Sequence, residues 1–372
     1  MRSDFQKILN DLEFEIPCRE MPDSPRILSA DMWVLSSGLQ KAVRRGDEDR
    51  AAAFARALWN QDRRMLWRRL HVIALEDVGA ASPDVVVKVL TAYEASVWRR
   101  EAGDKAVAIH LARLMAGAIK TQFSEQIYMF CEYSPDLAAL RRRLLVASPA
   151  RREKMALDPD VDISARALAL WSSAGTRQFP AKLMPKQPGS LADAAETMQK
   201  LGAPVMLTEA CIAVLSRTQW PLALFTPLAW TVFEKERSHL QVSELNLPAS
   251  PEFEGIPAYA LDGLYTRVGK SAIRQLKDDV EDLKKYTPQQ IGLACFYSEG
   301  AALDRTLTSP FLSSFRRESI LTVIADAGLR PDEYAELNAT LQKRWKTYDQ
   351  IRLHKLEFSL YGSQLDIFFR AR

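Results

Sequence analysis

The chain has 372 residues, with 50 Lys and Arg against 47 Asp and Glu, and 47% of it is apolar. That size allows two or three packed units, and the apolar share excludes a wholly disordered chain. The near balance of charge does not by itself point to nucleic acid, so the distribution of the cations has to decide.

The N-terminal stretch through Cys18 is charged at several points and lacks an apolar signal core. No apolar run approaches the roughly 20 residues of a membrane span, so a cytoplasmic location without membrane association is expected. Cys18, Cys131, Cys211 and Cys295 form no CxxC pair. His71, His110, His239 and His354 show no HExxH or paired-ligand spacing. Free thiols, no metal site and no cofactor are expected.

In chain order, residues 1–28 read as an N-terminal arm with a short helix ending near Pro17. Ser29 is placed to cap a helix through Met32, Leu35, Leu39 and Val43, which Gly46-Asp47 ends. A second helix holds Ala52, Phe54 and Leu58, and a third runs from about Arg63 to Leu75. Ser82-Pro83-Asp84, Ser134-Pro135-Asp136 and Ser148-Pro149-Ala150 each put a capping hydroxyl before a proline at the first helical position. Thr287-Pro288-Gln289-Gln290 adds a capping box. Alternating runs typical of strands are almost absent, so the sequence predicts an all-α, multi-helix array.

Two proline-containing stretches, 176–190 and 243–258, interrupt the helical periodicity. The expected division is a helical domain over 29–175, a linker over 176–204 and a C-terminal helical domain over 205–372. From Pro331 onward one or two helices carry Trp345, Tyr348, Phe358, Tyr361, Phe368 and Phe369. These either pack on the core or form an oligomer contact. Trp67-Arg68-Arg69 recurs as Trp98-Arg99-Arg100, but the flanking residues do not match and no repeat is read from it.

Cations are densest over residues 40–71: Lys41, Arg44, Arg45, Arg50, Arg56, Arg63, Arg64, Arg68 and Arg69, against Asp47, Glu48, Asp49 and Asp62. Arg141, Arg142 and Arg143, with Arg151 and Arg152, form a second cluster. Such faces contact phosphates or are simply solvated. Gly269-Lys270-Ser271 looks like the end of a P-loop, but Gly263 to Gly269 encloses five residues where the motif has four, and no buried strand precedes it. Arg267 and Lys270 read instead as a basic helix start facing solvent or phosphate. Ser298 has no neighbouring His, and Cys295 would need a distant one, so no catalytic residue is assigned.

The block 36–80 ends in Glu76-Asp77-Val78-Gly79. The simplest role of its acid pair is to pair with Arg68 or Arg69, or to cap the next helix. Ser37, Lys41, Arg44, Gly46 and Asp47, followed by Arg68, Arg69, Leu70, Ala74, Glu76, Asp77 and Gly79, keep the order and spacing of a known pattern, with Arg45 as an extra arginine. In these residues the block resembles the collar-type helical region that follows the ATPase and lid modules in the RarA/MgsA family of AAA+ replication–recombination factors. The likeness is strong over about 45 residues and loose over 30–130. Residues 1–28 hold no Walker A or Walker B motif, so the expected form is the helical region without the ATPase. The resemblance implies oligomerisation and work beside DNA-handling machinery, with Gly46, Asp47, Glu76, Asp77 and Gly79 as structural motif positions.

The leading expectation is a non-catalytic DNA replication or recombination scaffold, or a DNA-binding accessory protein of the kind phages and mobile elements carry. Its partners would be single- or double-stranded DNA, replication–recombination proteins, or both, and it would form a homo-oligomer. Phosphate contacts are expected from Lys41, Arg44, Arg45, Arg68, Arg69, Arg141, Arg142, Arg143, Arg267 and Lys270. One alternative is an inhibitory or interaction module that engages a host complex without DNA through Trp and Phe anchors. The other is a divergent nucleotide-dependent enzyme whose site gathers Lys270, Asp262 and Glu299.

Overall fold

Side-chain caps start many of the helices where the sequence places them. In the computed structural model, which describes residues 3–18, 27, 30–177 and 183–370 (the side chains of 3, 17, 18 and 362–370 excepted), Asp47 accepts from Arg50 N at 3.0 Å and Ser148 from Arg151 N at 3.3 Å. The capping box at Thr287 and Gln290 is complete. Ser29 lies outside the described residues. Asp31, at 2.7 Å from Trp33 N, caps the helix expected there. Ser82 precedes its proline as predicted, but its hydroxyl donates to Ile119 O at 2.9 Å and caps nothing.

The array begins with α1 (Ser3–Cys18), α2 (Met32–Arg44), α3 (Glu48–Ile73), α4 (Pro83–Glu94), α5 (Ser96–Ala102) and α6 (Asp104–Gly117). It continues with α7 (Phe123–Tyr133), α8 (Ala138–Leu145), α9 (Pro149–Leu157), α10 (Ile163–Ala174), α11 (Leu191–Lys200), α12 (Val205–Thr218) and α13 (Leu222–Lys235). The last members are α14 (Arg267–Asp279), α15 (Pro288–Cys295), α16 (Pro310–Asp326) and α17 (Pro331–Arg370). Two short antiparallel sheets complete the fold. In one, β1 (Gln241–Glu244) pairs with β4 (Arg305–Thr308), Gln241 opposite Thr308; in the other, β2 (Glu252–Phe253) pairs with β3 (Ile256–Pro257). The proline-containing stretch 243–258 is therefore partly strand.

One hydrophobic core runs from Leu9 to Val268 and takes in Leu312, Phe315 and Leu356. A second, smaller one spans Ala272 to Ile351. Helices α12 and α13 pack on α4, α7 and α10, all in the N-terminal half. The stretch 176–204 is therefore not a boundary between cores; α11, within it, packs against α9, α10 and α12. The C-terminal aromatics divide by position: Tyr348 is buried and Trp345 packs beside it, while Phe358 is exposed. The side chains of Phe368 and Phe369 lie outside the described residues.

Two local departures from α-geometry set up the sites. At Asp62 (φ −153°, ψ 97°) α3 breaks, and the Asp62 carboxylate accepts from Arg64 N at 2.8 Å and Met65 N at 3.0 Å. The predicted pair of helices is thus present as two halves of one element, with a fresh capped start at Arg63. Single π-turns then extend α3 through Ala74–Val78 and α15 through Phe296–Gly300. Such turns re-aim side chains and recur at functional sites.

Candidate nucleic-acid interface

The family-like block folds into a buried polar node. Arg44 is 1% exposed. It reaches Asp77 at 2.5 Å and Glu76 at 2.9 Å on the first π-turn, and its Nη1 donates to Gly300 O at 2.6 Å on the second. Gln40 donates to Glu76 at 2.8 Å and Asp77 at 2.9 Å. Lys41 pairs with Asp262 at 2.8 Å, and Lys120 with Asp304 at 2.8 Å. Burial alone would push the Arg44 guanidinium down, but Asp77 and then Glu76 hold it above its ordinary value. Burial and the neighbouring Asp77 push the Glu76 carboxyl up.

Two glycines of the block are fixed by geometry. Gly46 has φ +70° and a Cβ there would overlap the Asp304 carboxylate; Gly79 has φ +52° and lies against Thr121. Asp47 serves as the cap of α3.

This arrangement changes the expected roles. The acid pair is held by Arg44, not by Arg68. Lys41 and Arg44 are enclosed and paired inside the fold, so they present no free cation to a phosphate. Arg141 is also buried, and its Nη2 donates to Cys131 O at 2.5 Å. Arg45 lies over the Tyr259 ring at 4.8 Å and donates to Pro248 O. Arg152 caps the end of α8, donating to Leu144 O and Leu145 O. Arg142, Arg143, Arg267 and Lys270 are exposed.

The P-loop-like stretch has a plain geometric reason. Thr266 caps α14 by accepting from Gly269 N at 2.9 Å, and a Cβ on Gly269 would overlap the Asp262 carbonyl. The residues imagined as a nucleotide site have separate partners: Asp262 holds Lys41, and Glu299 holds Arg352 at 2.7 Å. Ser298 donates to Asn338 at 3.2 Å. Cys295 is buried, and burial pushes its thiol up to about 12. Among the described residues no group of three His, Cys, Asp or Glu is placed to hold a metal ion, and no helix is long and apolar enough to cross a membrane.

Cations gather elsewhere. A cleft of about 350 Å³ is lined by Arg63, Arg64 and Arg68 of α3, Arg99 and Arg100 of α5, and Arg217 of α12, around Trp67 and Tyr93. Arg99 is the scaffold. It stacks on Trp67 at 4.0 Å, pairs with Asp104 at 3.0 Å and donates to the last carbonyls of α4, Ala92 O and Tyr93 O. Asp104 also accepts from Trp67 Nε1 at 2.9 Å. The two Trp-Arg-Arg tripeptides, which share no wider repeat, therefore pack on one another.

Arg63, Arg64, Arg68 and Arg100 are exposed, and their side chains have no ion pair among the described residues. Arg217 reaches Glu94 at 3.3 Å and lies over Tyr93 at 5.5 Å. Arg63 and Arg64 occupy the first turn of a helix segment, where cations oppose the helix dipole. A local cost of that kind is offset when an anion binds there. Of this set the sequence marks Arg63, Arg64 and Arg68 as part of its densest cation run, but only Arg68 as an expected phosphate contact. The helix start near Arg63 is in the sequence reading; the signal it lacks is Asp62 as the cap of that start, which fixes Arg63 and Arg64 in the first turn.

A second recess of about 360 Å³ shares Arg68 with the cleft. Its walls are Trp33, Met65, Val72, Trp220, Tyr265 and Phe296, and Ser37, Gln40, Arg69 and Glu76 face into it. A third cavity, of about 400 Å³, lies between α7 and α16 and is lined by Gln122, Gln126, Arg316, Arg317 and Tyr334. Glu125 beside it is driven well above the usual carboxylate range by burial and by Glu76 and Asp77.

Comparison with known proteins adds no relative: no family model, curated protein or solved structure matches the chain.

Proposed function

We propose that the chain is a non-catalytic accessory protein that binds DNA through the arginine cleft between α3, α5 and α12. One observation carries this reading. Four exposed arginines, without ion pairs among the described residues, converge from two helices on a concave surface, and Arg217 closes the far wall. Phosphates supply the matching charge, and arginine's planar fork suits their oxygens. The resemblance of 36–80 to the collar-type region of replication–recombination ATPases supports the DNA context; Lys41, Arg44, Glu76 and Asp77 of that motif form the buried node, while Arg68 lines the cleft. The acid count in the cleft is low: Asp104 is bound to Arg99 and Trp67, and Glu94 pairs with Arg217 with Arg99 nearby.

The test is a titration of the protein with labelled DNA from 50 to 200 mM salt. Four phosphate contacts give a slope of log affinity against log salt of about −3 to −4. A slope near zero, or no binding at the low-salt end, would sink the reading.

A further inference from the structure

We propose that the aromatic recess beside the cleft takes one unstacked nucleobase, which makes the bound nucleic acid a single strand. This rests on the cleft reading above and adds the form of the ligand to it.

The recess is continuous with the cleft. Arg68 lines both, and on the opposite wall Arg217 of the cleft and Trp220 of the recess are three residues apart. A strand whose phosphates lie along Arg63, Arg64 and Arg100 therefore has the recess within a nucleotide's reach. At about 360 Å³ the recess falls in the ordinary range of small-ligand pockets, about 300–1,000 Å³.

Its walls present ring faces that the fold leaves in water. Trp33 is 47% exposed and Tyr265 is 60% exposed, far apart in the sequence but on one rim. Tyr265 packs edge-on against Phe296, centroids 6.4 Å apart. Aromatic faces of this kind hold any base by stacking, whatever its sequence.

The inner face adds hydrogen-bonding groups that the fold leaves unused. Arg44 and Gln40 both donate to Glu76 Oε1, and among the described residues none bonds to Oε2. Arg69 Nε, enclosed in the same wall, has no hydrogen-bond partner among the described residues. A buried donor without a partner is costly in a protein, and together with the free, partly solvent-facing Glu76 Oε2 it matches the edge of a base, which offers both donors and acceptors. A duplex keeps those edges paired and stacked inside, so it can engage the arginines but cannot fill the recess.

The experiment compares a fluorescein-labelled 12-nucleotide single strand with a duplex of the same length, using the full chain and anisotropy. Wild type is expected to prefer the single strand by at least tenfold, with quenching of tryptophan fluorescence. Trp33→Ala and Tyr265→Ala, each at an exposed rim position, are expected to weaken single-strand binding about tenfold. Each should leave duplex binding and the thermal midpoint unchanged. Arg64→Glu/Arg100→Glu should weaken both forms. Equal wild-type affinity for the two forms overturns the base pocket, as do rim variants that affect both forms alike or neither. If in that case the arginine variant still weakens binding, the cleft reading stands without the pocket. Absence of binding to either form overturns both.

Discussion

The protein uses arginine in two opposite ways within 25 residues of sequence. Arg44 is enclosed, bonded on three sides and bound to carboxylates that only the fold brings to it. Arg64 and Arg68 stand on the surface, and among the described residues neither side chain has an ion pair. Removing water from a charge is costly unless partners replace it, so Arg44 contributes to stability only within its complete node. A solvated arginine adds little to stability and is free to contribute to binding. Local sequence does not separate the two, because the deciding groups are the partners: Gly300, Glu76 and Asp77 for one, and the absence of neutralising acids for the other.

The comparison can be broken most sharply at Arg44. Arg44→Met leaves Asp77, 0% exposed, as an uncompensated buried charge, and should cost about 3–5 kcal/mol in denaturant unfolding. A loss under about 1 kcal/mol would mean that the node is not structural.

Next is Arg64→Glu/Arg100→Glu, which should leave unfolding within about 0.5 kcal/mol of wild type. The same variant should reduce DNA affinity about a hundredfold at low salt and make the salt slope shallower by about 2. Loss of stability instead of binding would reverse the assignment.

A third measurement uses His71, which lies beneath the cleft, tilted against the Tyr93 ring with centroids 4.4 Å apart and bonded through Nδ1 to Trp67 O at 3.2 Å. Burial pushes its imidazole down to about 4, and the charges of Arg69, Arg217 and Arg68 act the same way. The folded state therefore holds it neutral while the unfolded chain titrates near 6.5. Its contribution is fully present above pH 6.5, is lost as pH falls toward 4, and changes no further below that. Wild type compared with His71→Gln should show a difference on the order of 1–3 kcal/mol across that window. Equal pH slopes would place the ring in water.

The smallest expected effect is at Lys270. It is exposed and lies outside the cleft, so Lys270→Ala should change stability by less than about 0.5 kcal/mol and DNA affinity less than twofold. A larger loss of affinity would extend the interface onto α14.

The helices were legible because their signals are local: Ser148 and Thr287 cap where they stand, and Pro83 and Pro149 open helices, while Asp47, read only as the end of α2, also caps α3. The break at Asp62 was legible as two helices from their apolar spacing, without Asp62 being read as the cap between them. The boundary at 176–204 was not, because proline content says nothing of which faces meet, and α12 and α13 turn their apolar faces to the N-terminal half. The cleft was legible only as a dense run of cations. Its real membership depends on α3, α5 and α12 meeting, and Arg217 lies 149 positions from Arg68 in a segment that drew no notice. Arg44 and Lys41 were misplaced on the surface because Asp262 and Gly300, which enclose them, come from the other end of the chain.

The node also bears on what can be inherited or transplanted. Lys41 depends on Asp262, the Arg44 guanidinium on Gly300, and the Gly46 turn on the space beside Asp304. A gene fragment encoding residues 36–80 would carry the recognisable motif and none of these counterparts. Made alone, it would expose its apolar faces and strand its charges. Cut between Leu245 and Ser250, by contrast, the chain should stay together as a nicked pair, because the resulting pieces would hold one another through that node and the pairing of β1 with β4.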